Sequence, residues 1–393
     1  MIKYLGSKRR LVPTLVDLVS RSGAQRVLDL FTGTTRVAQA LKARGAHVTA
    51  VDSARYSEVF SKCWISTCAS QVNQSDLRDA VRRLSDLKPD PGYFTETFCR
   101  QSRFFQPRNG GRIDAIRNAI ESDYKDSSLY PILLTSLILA ADRVDSTTAV
   151  QMAYLKSWAQ RSFKDLELRV PELIHGDGVT IRGDAMKLAS QLGDFDLAYL
   201  DPPYNQHRYF CNYHIYETLV AWDSPQHYGT ACKRIDCKDD STKSLFNQKR
   251  SMPQALESTI KSLNTEYLIL SYNNESWLTL DQLTDFCSDY EAVRPLAFDS
   301  KRYVGAQIGI HSLNGERVGE VSHLRNLEYV VVAGPKHGVD RITSPYIDQT
   351  NKNHRPRRRR GQSPRTTNRR LTAVSASLPH IRPASRRPVV AGG

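Results

Sequence analysis

The sequence predicts an α/β domain with parallel strands, and three segments near the start support this. A short apolar strand pattern over 26–30 is followed by a glycine turn and then a helical pattern over 36–44, which stops at Gly45. A second strand pattern over 46–51 ends at Asp52. Strand–helix–strand units with short connections are parallel and right-handed, so these segments predict the first unit of a parallel sheet.

Further elements extend this pattern along the chain. A helical pattern over 11–19 precedes the first strand, and apolar strand patterns lie at 195–200, 266–271 and 327–333. The strand at 195–200 must end at Asp201-Pro-Pro-Tyr204, because proline cannot donate to a strand ladder. The sheet is therefore predicted to contain at least these later strands in addition to the first two.

Composition divides the chain into an α/β domain (1–88 and 173–334), a mostly helical insert (89–172) and a basic tail (335–393). The tail holds 14 of the 55 basic residues and 2 of the 41 acidic ones, so the rest of the chain has a net charge of only +2. The tail, rich in arginine, proline and serine, is predicted to be disordered. It could serve as a non-specific arm on nucleic acid or be a solvated terminus without a function.

Length and composition exclude several classes of protein. With 393 residues and 40% hydrophobic residues, the chain can bury a sizeable core, so it is neither wholly disordered nor collagen-like. It has no signal-peptide pattern, and its longest apolar stretch, 129–141, is too short to span a bilayer. The seven cysteines contain no CxxC pair, and the spacing of Cys232, Cys237 and His227 does not match a closed zinc site. We therefore expect a reducing, cytoplasmic location and no metal.

The turn after the first strand has features of a binding loop. In Asp29-Leu-Phe-Thr-Gly-Thr-Thr35, Gly33 allows a ligand to approach the main chain. Asp52, 19 residues further on, is placed to accept hydrogen bonds from a ribose diol. Thr34 and Thr35 would crowd a pyrophosphate, which favours a nucleoside without phosphates over NAD or ATP. The alternative is an ordinary strand-to-helix turn.

The segment Asp201-Pro-Pro-Tyr204 carries a more specific signal. It lies at the carboxyl edge of a strand, where open α/β sheets bind ligands. The two prolines fix the backbone, so the Pro202 carbonyl and the Asp201 carboxylate present two acceptors suited to the amine of a planar ring. Tyr204 offers a face on which that ring can stack. The alternative is a strand-terminating turn with a capping aspartate and a surface tyrosine.

Together with Lys3-Tyr-Leu-Gly-Ser-Lys-Arg9, these motifs resemble the class alpha, Dam-like family of DNA adenine-N6 methyltransferases, especially its restriction–modification members. Further similar blocks are 205–217, 270–275 and 301–303. The resemblance covers residues 1–333 in outline. The long insert before the Asp-Pro-Pro-Tyr block matches the class alpha order.

The resemblance implies a Rossmann-like methyltransferase fold, with S-adenosylmethionine as cofactor and a flipped adenine as the acceptor. Its implied catalytic residues are Asp201, Pro202, Pro203 and Tyr204. Its implied cofactor-binding residues are Tyr4, Lys8, Phe31, Thr32, Gly33, Asp52, Asp184 and Asp201. The chain departs from the family at Thr35, where relatives usually carry a second glycine.

The resemblance also implies double-stranded DNA as substrate, a monomeric bacterial enzyme and a companion restriction endonuclease. It makes the insert the target-recognition subdomain, whose basic and aromatic candidates are Arg100, Arg103, Phe104, Phe105, Arg108, Arg112, Arg117, Arg143, Lys156 and Arg161. For each arginine the alternative is a solvated surface charge. The residues themselves leave open an enzyme acting on RNA amines or a protein amide, and an inactive nucleic-acid-binding relic.

Overall fold

The computed structural model describes residues 2–6, 8–147, 149–301, 310–311, 317–319 and 325–347. Most of the predicted tail, 348–393, lies outside the described residues, as do Arg302 and Tyr303 of the block that resembled the family. Within the part of the chain that is described, no helix combines the length and the apolar character needed to cross a membrane.

The sheet that organises the fold has seven strands in the order β3-β2-β1-β4-β7-β11-β8. Neighbours from β3 to β7 are parallel, whereas β11 is antiparallel to both β7 and β8. All five strands predicted from the sequence lie in this sheet, so the α/β prediction is confirmed. The described strands are β1 (Arg26–Asp29), β2 (His47–Asp52), β3 (Gly178–Arg182), β4 (Asp194–Leu200), β5 (His227–Tyr228), β6 (Lys233–Arg234), β7 (Asn264–Asn273), β8 (Ala292–Lys301), β9 (Ile310–His311), β10 (Arg317–Gly319) and β11 (Arg325–Gly334).

The register of the parallel strands brings three strand ends to one edge. Asp29 of β1 is aligned with Ala50 of β2 on one side and with Tyr199 of β4 on the other. The segments that follow β1, β2 and β4 therefore leave the sheet side by side. This edge is where an open parallel sheet offers its ligand crevice.

Helices cover both faces of the sheet. Helix α1 shows why: Leu15, Leu18 and Val19 recur at helical spacing and are buried, and the helix ends at Gly23 with φ 80°. The described helices are α1 (Val12–Ser22), α2 (Arg36–Lys42), α3 (Arg55–Ser61), α4 (Gln74–Ser85), α5 (Tyr93–Thr95), α6 (Pro107–Tyr124), α7 (Tyr130–Val144), α8 (Ala185–Leu188), α9 (Tyr209–Asn212), α10 (His214–Ala221), α11 (Met252–Ser262), α12 (Leu280–Asp285) and α13 (Lys336–Thr343).

Single turns of π- or 3₁₀-helix join several of these elements. They are Lys62–Ser66, Ala69–Gln71, Glu96–Gln101, Gln160–Phe163, Ile235–Lys238, Asp240–Thr242, Leu245–Asn247 and Ser344–Tyr346.

Alternate residues of the strands supply two separate apolar cores. Val27 and Val48 belong to one core, whereas Leu28 and Val51 belong to the other. Successive strand side chains point to opposite faces, so a strand with a helical layer on each side is apolar throughout. This explains the continuous apolar runs that predicted the strands.

The insert is mostly helical, as the sequence predicts, and α6 and α7 are its main helices. Ile113, Ile116 and Ile120 lie on one buried face of α6, and the apolar stretch of α7 is also buried. These side chains belong to the same core as the β1 face of the sheet. The insert therefore shares its hydrophobic core with the α/β domain.

The boundary predicted for the tail, residue 335, comes too early. Residues 336–343 form α13, whose Val339 and Ile342 are buried. The hydroxyl of Tyr346, just beyond it, donates a hydrogen bond to Asp17 Oδ2 of α1 at 2.7 Å. The boundary was drawn from composition and charge, which did not take account of these two aliphatic residues at helical spacing. Their burial packs the segment against the domain.

Candidate active site

The residues predicted from the sequence to form a site lie around one cavity at the carboxyl edge of the sheet. The cavity has a volume of about 680 Å³, within the range of roughly 300–1,000 Å³ typical of small-molecule sites. The predicted residues that line it are Tyr4, Lys8, Phe31, Thr32, Gly33, Asp52, Asp184, Asp201, Pro202, Pro203 and Tyr204. The glycine turn and the Asp-Pro-Pro-Tyr segment thus face the same space.

Asp52 is held in place by the glycine turn. Its Oδ2 accepts a hydrogen bond from the Gly33 N–H at 2.8 Å, and its Oδ1 accepts one from the Ala54 N–H at 2.9 Å. Gly33 has φ 52°, and a Cβ there would lie 3.2 Å from the Tyr4 hydroxyl. Asp52 lines the cavity, and a carboxylate has acceptor sites beyond these two hydrogen bonds. The carboxylate is therefore oriented before any ligand binds.

Thr35, at the family's second glycine position, adopts a conformation that glycine would adopt without strain. Its φ is 62°, its side chain is fully buried, and its N–H donates to the Thr32 carbonyl at 2.7 Å. A β-branched residue rarely takes this conformation. Its hydroxyl accepts a hydrogen bond from the Gln39 side chain at 2.7 Å, which ties the turn to α2.

Asp29, at the end of β1, is a site residue that the sequence interpretation missed. It is fully buried, its Oδ2 accepts a hydrogen bond from Thr32 Oγ1 at 2.9 Å, and its Oδ1 has no hydrogen-bond partner among the described residues. Burial raises the pKa of Asp29 to about 7. An unpartnered carboxylate oxygen beside the cavity is suited to a ligand with a positive charge or a donor group.

Asp201 is paired with Lys8, which comes from the N-terminal segment. Lys8 Nζ lies 3.0 Å from Asp201 Oδ1 and also contacts Glu328. The same ammonium is 5.8 Å from the centre of the Tyr204 ring. Burial raises the pKa of Asp201 to about 6, with Lys8 opposing the rise and Glu328 adding to it. Asp201 is therefore mostly ionised at neutral pH.

Aromatic packing positions the N-terminal segment over the site. The ring of Tyr4 stacks on Tyr213 at 4.8 Å and on Tyr209 at 5.4 Å between centroids. Lys3 forms ion pairs with Asp142 at 2.9 Å and Asp145 at 3.2 Å, at the end of α7. The start of the chain is thus attached both to the helix after the Asp-Pro-Pro-Tyr segment and to the insert.

The cavity wall also includes residues around α8 and a later segment. Asp184 accepts a hydrogen bond from the Met186 N–H at 2.9 Å, so this predicted cofactor residue also caps α8. The segment 236–247, which the sequence did not suggest, contributes to this lining, and its Phe246 packs edge-on against Phe31 with 5.0 Å between ring centroids. Only loops and single helical turns make up this segment, which explains the lack of a periodic signal in its sequence.

Several candidates for DNA reading in the insert are core residues instead. Phe104 and Phe105 are buried, and the guanidinium of Arg117 donates to the Leu219 carbonyl at 2.7 Å. His214, in the block that follows the Asp-Pro-Pro-Tyr segment, is also fully buried, and burial lowers its pKa to about 3. Composition marked basic and aromatic residues without showing which of them face solvent.

Arg100 and Arg108 are exposed on the insert. Arg103 stacks on Trp158 with its guanidinium 4.8 Å from the ring centre. These residues, with the exposed Lys156, remain the candidates for contact with nucleic acid.

The fold and site define a class of protein: a Rossmann-like methyltransferase in which an Asp-Pro-Pro-Tyr segment faces the cavity of the glycine turn. The family described as D12 class N6 adenine-specific DNA methyltransferase matches residues 4–286. The chain belongs to this family and is an adenine-specific DNA methyltransferase. Family membership implies S-adenosylmethionine as methyl donor.

Individual relatives support the assignment. The type II methyltransferase M.NlaIII of Neisseria lactamica is 31% identical over 300 residues, which are 72% of this chain and 87% of the relative. Modification methylase StsI of Streptococcus sanguinis is 30% identical over 308 residues, or 74% of this chain and 46% of that protein. The type II methyltransferase M.CviAII of Paramecium bursaria Chlorella virus 1 is 26% identical over 318 residues, or 77% and 92%. This chain spans about half the length of StsI.

Proposed function

We propose that this protein methylates the N6 amine of adenine at a specific sequence in duplex DNA, as the modification enzyme of a restriction–modification system. The observation that carries the proposal is the single cavity shared by the Gly33 turn and Asp201–Tyr204. A methyl donor held by the first element and an amine held by the second would meet there.

The residues of the glycine turn fit a nucleoside with a positively charged sulfur. Asp52 would accept hydrogen bonds from a ribose diol, and the unpartnered Oδ1 of buried Asp29 would face a cationic or donor group. Tyr4 and Phe31–Gly33 would enclose the amino-acid part, with Asp184 near the adenine and Lys8 at the junction with the base site. S-adenosylmethionine, when bound, supplies a methyl group on a sulfonium.

Asp201, Pro202 and Tyr204 would bind the target base. The Asp201 carboxylate and the Pro202 carbonyl accept the two amine hydrogens, which turns the nitrogen lone pair away from the ring. Tyr204 stacks on the base and contributes about 1–3 kcal/mol toward the few kcal/mol needed to flip it. Pro203 keeps the segment rigid. Orientation of the acceptor amine, rather than strong general-base catalysis, provides most of the acceleration.

The rest of the molecule would supply target recognition and affinity. Exposed insert residues, including Arg100 and Arg108, would contact phosphates and bases. The tail would add a salt-dependent attraction that does not depend on sequence. We propose a monomer that acts on DNA in the bacterial cytoplasm, with a restriction endonuclease of matching specificity as its partner in the cell.

Transfer of tritium from labelled S-adenosylmethionine tests the proposal. We expect incorporation into duplex DNA and none into RNA or protein, and methyladenine at one recurring sequence in DNA from an expressing bacterium. Incorporation into RNA or protein in preference to DNA would contradict it.

A further inference from the structure

A buried cation at the site is shared between two carboxylates that come from different strands. Lys8 is 8% exposed, and its ammonium contacts both Asp201, at 3.0 Å, and Glu328 of β11. The side chain of Glu328 is only 12% exposed. The sequence interpretation gave Glu328 no role, and this residue lies beyond 286, where the family match ends.

The sheet register brings Glu328 to this place. Glu328 is aligned with Asn273 at the end of β7, and the Asn273 side-chain amide donates to Glu328 Oε2 at 3.4 Å. Strand β7 in turn pairs with β4, where Leu200 is aligned with Leu270. Glu328 therefore stands two strands from Asp201 at the same edge of the sheet. One of its oxygens is directed to Asn273 and the other to Lys8.

The charges in this group have a direct effect on Asp201. The ammonium of Lys8 favours the ionised carboxylate, whereas the negative charge of Glu328 disfavours it. The other groups that face Asp201 are buried Asp29 and the hydroxyls of Tyr199, Tyr204, Tyr209 and Ser271. If Glu328 were neutral, the Lys8 ammonium would pair with Asp201 alone and would weaken it as an acceptor.

We propose that Glu328 is a positioning residue for methyl transfer. It holds the Lys8 ammonium on Oδ1 of Asp201 and takes up part of its charge, so that Oδ2 stays available and strong as an acceptor for the target amine. This inference rests on the proposed role of Asp201. It assigns a function in the active site to β11, a strand outside the region that the family match covers.

The test is the pH dependence of single-turnover methyl transfer to duplex DNA by the full-length protein. In Glu328→Gln we expect the plateau rate to fall roughly tenfold, because the acceptor is weakened and misplaced. We expect the acidic midpoint of the profile to move down by about one pH unit, because removal of a negative charge makes Asp201 easier to ionise. Glu328→Asp keeps the charge and should keep the wild-type midpoint.

Glu266→Gln is the matched control, since Glu266 is exposed at the opposite end of β7. It should leave both rate and midpoint unchanged. If Glu328→Gln does not fold, Glu328→Met replaces it with the same expected midpoint, because its hydrocarbon-like side chain needs no partner.

An unchanged acidic midpoint in the folded, uncharged variant would overturn the proposal, even if its rate fell, since a merely structural role predicts that result. An aspartate variant with the midpoint of the glutamine variant would also overturn it. The proposed function fails on a different result, transfer by the wild-type protein into RNA or protein in preference to DNA, so the two failures can be told apart.

Discussion

Two buried cations, one in the insert and one at the sheet edge, show how differently the two regions use charge. Arg117 of α6 is 1% exposed; it donates to the main-chain carbonyls of Leu219 and Val220 and forms an ion pair with Glu121 of its own helix, away from the cavity. Lys8 is nearly as buried, but its partners are the carboxylates of Asp201 and Glu328 beside the cavity. Arg117 fastens a helix to the core, whereas Lys8 adjusts the charge of an acceptor. The partners of a charged group therefore indicate its role better than its burial does.

Replacement of Arg117 should have the largest effect on stability. Arg117→Ala leaves buried carbonyls without partners and opens a cavity, so we expect the free energy of unfolding to fall by about 3 kcal/mol. Arg100→Ala is the control, because exposed Arg100 forms an i,i+4 ion pair with Glu96, worth about 0.3–0.5 kcal/mol. Urea denaturation measures both. If the Arg117→Ala protein has normal stability but has lost DNA binding, Arg117 is a residue of the DNA-recognition surface and not of the core.

The buried carboxyl of Asp29 makes the stability of the folded protein depend on pH. Its pKa is raised to about 7 in the folded protein, so ionised Asp29 lowers the free energy of unfolding. The decrease is fully present above about pH 7 and is lost below the unfolded pKa of about 3.9. Asp29→Asn removes the charge but leaves an amide N–H₂ beside the unpartnered position. We expect the variant to be more stable than the wild type by about 1–2 kcal/mol at pH 8 and less stable than the wild type at pH 4, where Asp29 is neutral in the folded protein and only the cost of the unpartnered amide remains. Thermal unfolding of the cofactor-free protein at both pH values measures this, and a larger gain at pH 4 would contradict it.

Thr35 offers a smaller effect within the same loop. Thr35→Gly and Thr35→Ala both remove the hydroxyl, but only alanine keeps a Cβ at φ 62°. We expect the glycine variant to be the more stable of the two by about 1 kcal/mol. Denaturation curves of the glycine and alanine variants measure this difference in stability. Equal stabilities would mean that the backbone conformation there is not strained.

Removal of the tail should have the smallest effect at physiological salt. Deletion of 348–393 keeps α13 and should lower affinity for any DNA at low salt, without a change in target sequence. Deletion of 340–393 also removes part of α13 and the Asp340 ion pair with Arg294, so it should destabilise the domain as well. Binding titrations at several salt concentrations and mapped methylation sites test this. A changed target sequence in the shorter deletion would be inconsistent with it.

The parts of the fold and site that could be predicted are those encoded by short contiguous segments. The turn at Gly33 and the segment Asp201–Tyr204 each follow an apolar strand, so their position at one edge follows from parallel strand order. Glu328 could not be found in this way, because its approach to Lys8 depends on the register between β7 and β11. The arginines of the insert could not be sorted either, since local composition does not show which face of a helix packs on a core.

The most direct test of the account combines two measurements on Asp201→Ala: equilibrium binding of S-adenosylmethionine and single-turnover methyl transfer to duplex DNA. If Asp201 binds the target amine, affinity for the cofactor should stay within about threefold of wild type while transfer falls by at least about a hundredfold. Transfer at the wild-type rate would show that the Asp201 carboxylate does not hold the target amine.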